Sequence, residues 1–461
     1  MITLAILLIA AQASPARTPD KAAISIAPSS DGAWDGGITV PAGLTIPFKL
    51  DLAGSAGRFA APDQQVRDVP VTVTTDGRRI LITLPGGSAK FDASLSDDGA
   101  TLAGTWTRGD QSFPARFSRR GLIAADASPK RPQTPLAPFP YQAADVSVPT
   151  AAGLKLGATL TRPSSPSAVP AVLLLGGNGP QTRDETYAGH RPMMLIADRL
   201  TRGGFAVLRY DKRGVGGSTG RYETAIGADL VNDARAALRW LRAQPGIDPR
   251  RTCVLGLSEG AMIAPMVAAT DDPACVVLLS PPGVPSAELL GEQTRMLALD
   301  DGKSAEAAGR EAAAARSVVD GMARGAERKD LVARAIAAGA EATEAEALVR
   351  NLDSAEVRVF LADDPAVALR KLSMPVLVLA GGNDHQVVTA QNVGPVRAAL
   401  AGNRSARVVI LPGLNHVLQP SATGAVRDYA ATDVTMDEHA LTEIVGFVRK
   451  ASTTTSGRTP E

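Results

Sequence analysis

Charge of one sign is scarce in this 461-residue chain: 48 lysines and arginines stand against 47 aspartates and glutamates, a formal net charge of +1. That balance gives no electrostatic reason to expect nucleic acid or anionic lipid as a partner. Long apolar runs are missing as well. Although 45% of the residues are hydrophobic, no stretch beyond the N-terminus is long and apolar enough for a membrane helix. Histidine and cysteine are rare, four and two respectively. None of either lies between Ile24 and Ser118, so metal ligation and nucleophilic catalysis are not expected of that part. Cys253 and Cys275 fall near the starts of two apolar runs that read as neighbouring strands. The expectation is two buried free thiols, although an exported protein could oxidise them if the geometry allowed.

What is present divides the chain. Residues 1–13 form an apolar run ending in Ala11-Gln-Ala13, which suits a signal peptide cut after Ala13 and export to the periplasm or beyond. The run is too short to span a bilayer, and no Lys or Arg precedes it. Over 24–120, seven short alternating runs are separated by hairpin spacers such as Asp76-Gly77 and Asp98-Gly99, the pattern of a small all-β domain. Residues 121–141 are dominated by proline and alanine and read as a linker.

From Asp145 strand-like runs alternate with helical ones, which predicts a mostly parallel sheet with helices on both faces. Ligands of such sheets bind at the carboxyl ends of the strands. Strands disappear over 286–372, where alanine, glutamate and arginine predominate. That stretch is expected to be a helical lid. Strand patterns resume at Met374 and Ala406, and a last helix near Asp437–Lys450 precedes a polar tail, 451–461, expected to be disordered.

Chemistry concentrates at Gly256-Leu-Ser258-Glu-Gly260. An apolar strand precedes this Gly-x-Ser-x-Gly and a small-residue helix follows, the context of a nucleophile elbow. Glycines flank the serine because a strand turning at once into a helix leaves no room for a Cβ there. Gly216-Gly-Ser218-Thr-Gly220 has the same spacing but follows the charged run Tyr210–Gly214, so Ser218 reads as a loop residue.

A serine hydroxyl needs a base, and the base needs an orienting group. His416 follows the strand Arg407–Leu411, and Asp384 follows the strand Pro375–Ala380 through Gly381-Gly-Asn. The order Ser258, Asp384, His416 suits such a triad. His385 adjoins the acid in sequence and His439 lies in the last helix, so neither is the expected base. Glu288 competes with Asp384, but glutamate at the start of a lid helix is already explained by the helix dipole. Oxyanion donors are assigned to the backbone N–H groups of Asn178, in Gly176-Gly-Asn-Gly-Pro180, and of Glu259.

These motifs, with Gln181–Glu185 and Arg209-Tyr-Asp-Lys-Arg213-Gly, resemble the α/β-hydrolase superfamily, and within it bacterial esterases and acyl hydrolases related to the serine aminopeptidase and dienelactone hydrolase groups. The resemblance covers about 145–450 and extends weakly to the first domain through Gly104-Thr-Trp106. It implies an α/β-hydrolase fold and a structural role for Asp211 and Arg213. Where these relatives usually carry histidine before the nucleophile, this chain has Leu257. The expected activity is ester hydrolysis through an acyl-enzyme, with a small ester or acyl substrate and no cofactor or metal. Thioester or amide hydrolysis by the same triad, and a non-catalytic binding protein on this scaffold, are the alternatives.

Overall fold

A computed structural model describes residues 29–39, 45–61, 66–87, 89–108, 111–120, 131–358, 361 and 364–454. The expected signal peptide, the first half of the proline-rich stretch and the end of the expected tail lie outside them. The chain divides into two compact units at Pro129/Lys130.

The first unit is a closed antiparallel barrel: β1 (Gly32–Thr39), β2 (Thr45–Ala53), β3 (Ala56–Ala61), β4 (Val66–Asp76), β5 (Arg79–Thr83), β6 (Lys90–Leu95), β7 (Thr101–Arg108) and β8 (Gln111–Arg119). β1 pairs with both β2 and β8, which closes the ring. Strand periodicity fills it: along β2, Ile46, Phe48, Leu50 and Leu52 are buried while Lys49 and Asp51 between them are exposed. Trp106 sits 4.9 Å from Phe48 and 5.2 Å from Phe59, ring centre to ring centre. The eighth strand is β3, which the sequence pattern does not announce. Its Ala-Gly-Arg-Phe-Ala-Ala has one large apolar side chain and no β-branched residue.

The second unit is an eight-stranded sheet in the order β16-β15-β14-β13-β11-β12-β10-β9. Its strands are β9 (Gln142–Pro149), β10 (Lys155–Arg162), β11 (Val169–Leu175), β12 (Ala206–Tyr210), β13 (Ile247–Leu257), β14 (Cys275–Leu279), β15 (Val376–Gly381) and β16 (Ala406–Leu411). Only β10 runs against the others. β14, Cys-Val-Val-Leu-Leu, is buried along its whole length, as a strand covered on both faces must be. Between strands run α1 (Pro192–Arg202), α2 (Gly227–Arg242) and α3 (Glu259–Asp271). Ala171, Leu173 and Leu175 of β11 share a core with α2 and α3, and the intervening Val172 and Leu174, equally buried, face the other side of the sheet. β12 lies on one flank of β11 and β13 on the other. The loops leaving β11 and β13 therefore diverge, and a crevice opens between them.

Between β14 and β15 the described residues are all helical or irregular: α4 (Ser286–Asp300), α5 (Ala305–Ala323), α6 (Arg328–Ala337), α7 (Ala342–Leu352), α8 (Ala355–Arg358) and α9 (Pro365–Leu369). This insertion has a core of its own around Val318, Val319, Leu331, Leu348 and Leu352. α10 (Thr389–Ala399), α11 (Asp428–Ala431) and α12 (Glu438–Thr454) complete the unit.

Three expectations need correction. Cys253 and Cys275 are not free thiols but a disulfide. They are direct register partners on adjacent strands with Cα atoms 4.7 Å apart, within bridging range. Sequence locates the two strands but not their register. The stretch before β9 is not merely a spacer, since Arg131 donates to the carbonyls of Ala188, Ala430 and Thr432 and Gln133 donates to that of Met436. The last helix also reaches four residues into the expected tail, because Ala451 and Ser452 are buried.

Candidate active site

β13 delivers Ser258 to the crevice and α3 begins at the next residue. The serine has φ 55° and ψ −114°, a conformation that costs an L-residue of order 1–3 kcal/mol and persists only where the surroundings impose it. Its neighbours impose it. A Cβ on Gly256 would stand 2.0 Å from the Gly260 carbonyl oxygen, and one on Gly260 would stand 2.1 Å from that of Leu175. Leu257, between them, is fully buried behind the turn. The Ser258 N–H donates to Leu279 O at 2.9 Å, which fixes the elbow to the end of β14.

The end of β14 also holds the histidine. Ser280 Oγ donates to the His416 carbonyl at 2.7 Å, so Ser258 and His416 are tied to consecutive residues of one strand end. Asn415, fully buried, accepts the N–H groups of Val417 and Gln419 and shapes the turn. His416 Nδ1 donates to Asp384 Oδ2 at 2.8 Å, and Asp384 Oδ1 accepts from the N–H groups of Gln386 and Val387, both at 2.8 Å. Both residues are buried. The acid loop reaches the histidine loop because Gly381 has no Cβ; one placed there would meet Asn415 O at 2.2 Å. With Nδ1 as the donor, Nε2 carries the lone pair. Among the described residues no hydrogen bond joins Ser258 Oγ to this imidazole.

The other candidates are occupied elsewhere. His385 Nδ1 contacts both Asp300 carboxylate oxygens at 3.0 Å, His439 is exposed on α12, and His190 lies buried between Thr435 Oγ1 and Tyr429 O. Burial, and next the charge of Arg131, lower the His190 pKa to about 4. Ser218 Oγ donates to Asp211 O and accepts from Gly157 N–H. Glu288 is an exposed side chain in the first turn of α4. Asp211 binds Arg183 and the Gly217 N–H, and Arg213 pairs with Asp233, ties that shape the loop after β12.

The loop after β11 lies against the serine: a Cβ on Gly177 would be 3.6 Å from the Ser258 Cβ. Neither the Asn178 nor the Glu259 N–H has an acceptor among the described residues. Sequence reasoning did not single out three charged side chains packed here. Glu185 Oε2 accepts the Gly177 N–H at 3.0 Å, and Lys212 Nζ donates to Gly177 O at 2.5 Å and to Glu259 Oε1. All three are buried. Desolvation pushes the Glu185 and Glu259 carboxyls above their usual range, against the Gly177 N–H and Lys212 at the first and Lys212 at the second. The available signal was a lysine two residues past the end of β12, at the strand end where ligands bind.

A model of the family described as X-Pro dipeptidyl-peptidase (S15 family) matches residues 152–416, more than half of the chain, Ser258, Asp384 and His416 among them. The chain belongs to that family. Together with the sheet, the match bears out the α/β-hydrolase resemblance of the motifs. This S15-family chain is also 27% identical over 260 residues to Esterase EstD of Thermotoga maritima, across 56% of the chain and 57% of the esterase. It is 39% identical over 138 residues to an uncharacterized protein of Mycobacterium tuberculosis strain H37Rv, across 30% of the chain and 45% of that protein. The chain thus spans about half the length of the curated relatives it matches. A solved structure, the Pyrococcus furiosus esterase Pf2001, is 16% identical and superposes with a TM-score of 0.44, covering 68% of this chain and 92% of that one.

Proposed function

We propose that the protein is a serine hydrolase that cleaves carboxylic esters through an acyl-enzyme. The observation that carries this reading is the buried bond of His416 Nδ1 to Asp384 Oδ2, 2.8 Å, beside a serine held at positive φ on an elbow. His416 Nε2 takes the proton of Ser258 Oγ as the oxygen attacks the ester carbonyl carbon. The oxyanion is received by the N–H groups of Asn178 and Glu259, both without another acceptor among the described residues. Collapse expels the alcohol, which takes the proton from His416. Water, deprotonated by the same imidazole, then releases the acid. The esterase relative supports an ester substrate. The family match favours a second reading, hydrolysis of a peptide amide by the same residues.

Labelling with a fluorophosphonate, followed by kinetics on matched p-nitrophenyl esters, acyl-thioesters and aminoacyl anilides, tests both readings. Ester turnover that disappears in Ser258→Ala supports the first, and anilide turnover exceeding ester turnover favours the second. Absence of labelling and of all three activities would leave a binding protein. We further infer that the chain is exported: the apolar run of residues 1–13 and the Cys253–Cys275 disulfide both suit an oxidising compartment. Recovery of Met1 from a cytosolic fraction on N-terminal sequencing would refute this.

A further inference from the structure

Three loops from three strands meet behind Ser258. The loop after β11 brings Gly177, the loop after β12 brings Lys212, and the start of α3 brings Glu259. Lys212 Nζ donates to the Gly177 carbonyl at 2.5 Å and pairs with Glu259 Oε1. The Gly177 carbonyl and the Asn178 N–H are the two ends of one planar, trans peptide unit, so they point in opposite directions. A cation fixed at the carbonyl end holds that plane and polarises it, which makes the N–H at the far end a stronger donor. The neighbouring Gly177 N–H is already taken by Glu185 Oε2 at 3.0 Å. Glu185 fits only because position 177 is glycine, since a Cβ there would lie 2.6 Å from Glu185 Oε1. The same ammonium, through the Glu259 side chain, grips the residue whose N–H is the other proposed donor.

Resting on the serine hydrolase reading, we propose that Lys212 is a positioning residue that ties both halves of the oxyanion hole to one buried charge. Among the described residues its hydrogen bonds run to Gly177 O and Glu259 Oε1 and none to Ser258. Its effect belongs to the transition state, because negative charge on the carbonyl oxygen develops only there.

The test compares the full chain with Lys212→Met, Lys212→Arg and Ser258→Ala on p-nitrophenyl acetate. The rates of wild type and the Lys212 variants are normalised to the enzyme counted by end-point fluorophosphonate titration, which leaves out misfolded protein, and that of Ser258→Ala, which has no nucleophile to label, to folded protein concentration. Removal of one oxyanion donor lowers kcat by about 10² to 10³-fold, so loss of the tether should lower it by about 10 to 10³-fold. KM should stay within about threefold, and inhibition by a trifluoromethyl ketone, whose adduct with Ser258 carries the oxyanion, should weaken in step with kcat. Lys212→Arg, which keeps the charge, should recover part of the loss. If Lys212→Met does not fold, Lys212→Gln takes its place with the same expectation. A normalised kcat within threefold of wild type, or equal losses in the Met and Arg variants, overturns the tether while Ser258→Ala stays inactive and the hydrolase reading stands. Wild-type turnover in Ser258→Ala would overturn the hydrolase reading and the tether with it.

Discussion

Among the residues of the site, Asp384 and Glu288 offered the real choice of orienting acid. Asp384 is buried and bonded to His416 Nδ1, whereas Glu288 is an exposed side chain at the start of α4. Losing the orienting acid of another serine hydrolase cost about 10⁴-fold. Asp384→Asn is therefore expected to lower kcat by about 10³ to 10⁴-fold with the fold intact, and Glu288→Gln to change kcat less than threefold. Reversed results in the same ester assay would reassign the acid. His190 supports a separate prediction about stability. Its folded pKa of about 4 lies below the ordinary 6.5, so between those values the unfolded chain binds the extra proton. The stability gained by keeping His190 neutral is complete above pH 6.5 and drains away as the pH falls toward 4, roughly 3 kcal/mol at most. Urea unfolding at pH 7 and pH 4.5 should show a smaller acid loss in His190→Gln than in wild type; equal losses would place the effect elsewhere. The proposed Ser258, Asp384 and His416 were legible in the sequence as a candidate triad because each follows an apolar strand, in a recognisable order. Lys212 and Glu185 were not, because their meaning arises from contacts between loops that only the strand order β13-β11-β12 brings together.

At the scale of elements, the helical insertion stands between β14 and the strand that delivers Asp384. Its own core around Val318, Leu331 and Leu348 makes it partly self-sufficient, whereas Leu369 and Leu372 at its end belong to the core of the sheet, so replacing residues 286–364 with a short loop should perturb the sheet little. One tie to the site is visible: His385, next to the acid, meets Asp300 at the end of α4. We expect the replacement to shift acyl chain-length preference across a p-nitrophenyl ester series more than it lowers Tm. An unchanged preference would make the insertion a surface excursion. Alternation and turn residues disclosed most strands and all of the sheet's parallel run. They missed β3, whose small residues carry no strand signal, and they could not give the register that sets Cys253 opposite Cys275.

For the molecule as a whole, the division at Pro129/Lys130 makes a prediction about independence. The hydrophobic core under the site draws only on residues from Val146 onward, and Arg131 and Gln133 are bonded within the same unit. A chain beginning at residue 130 is therefore expected to unfold cooperatively and to keep its turnover of p-nitrophenyl acetate within about threefold; a molten or inactive product would show that the barrel is required for folding or for the chemistry. The barrel's closure has a different implication. Because β1 pairs with β8, every strand of the ring has a neighbour on both sides, and among the described residues no strand presents a whole free edge for a foreign strand to extend. We therefore expect a partner of this unit to be met through outward side chains and turns, and the same closure limits edge-to-edge aggregation.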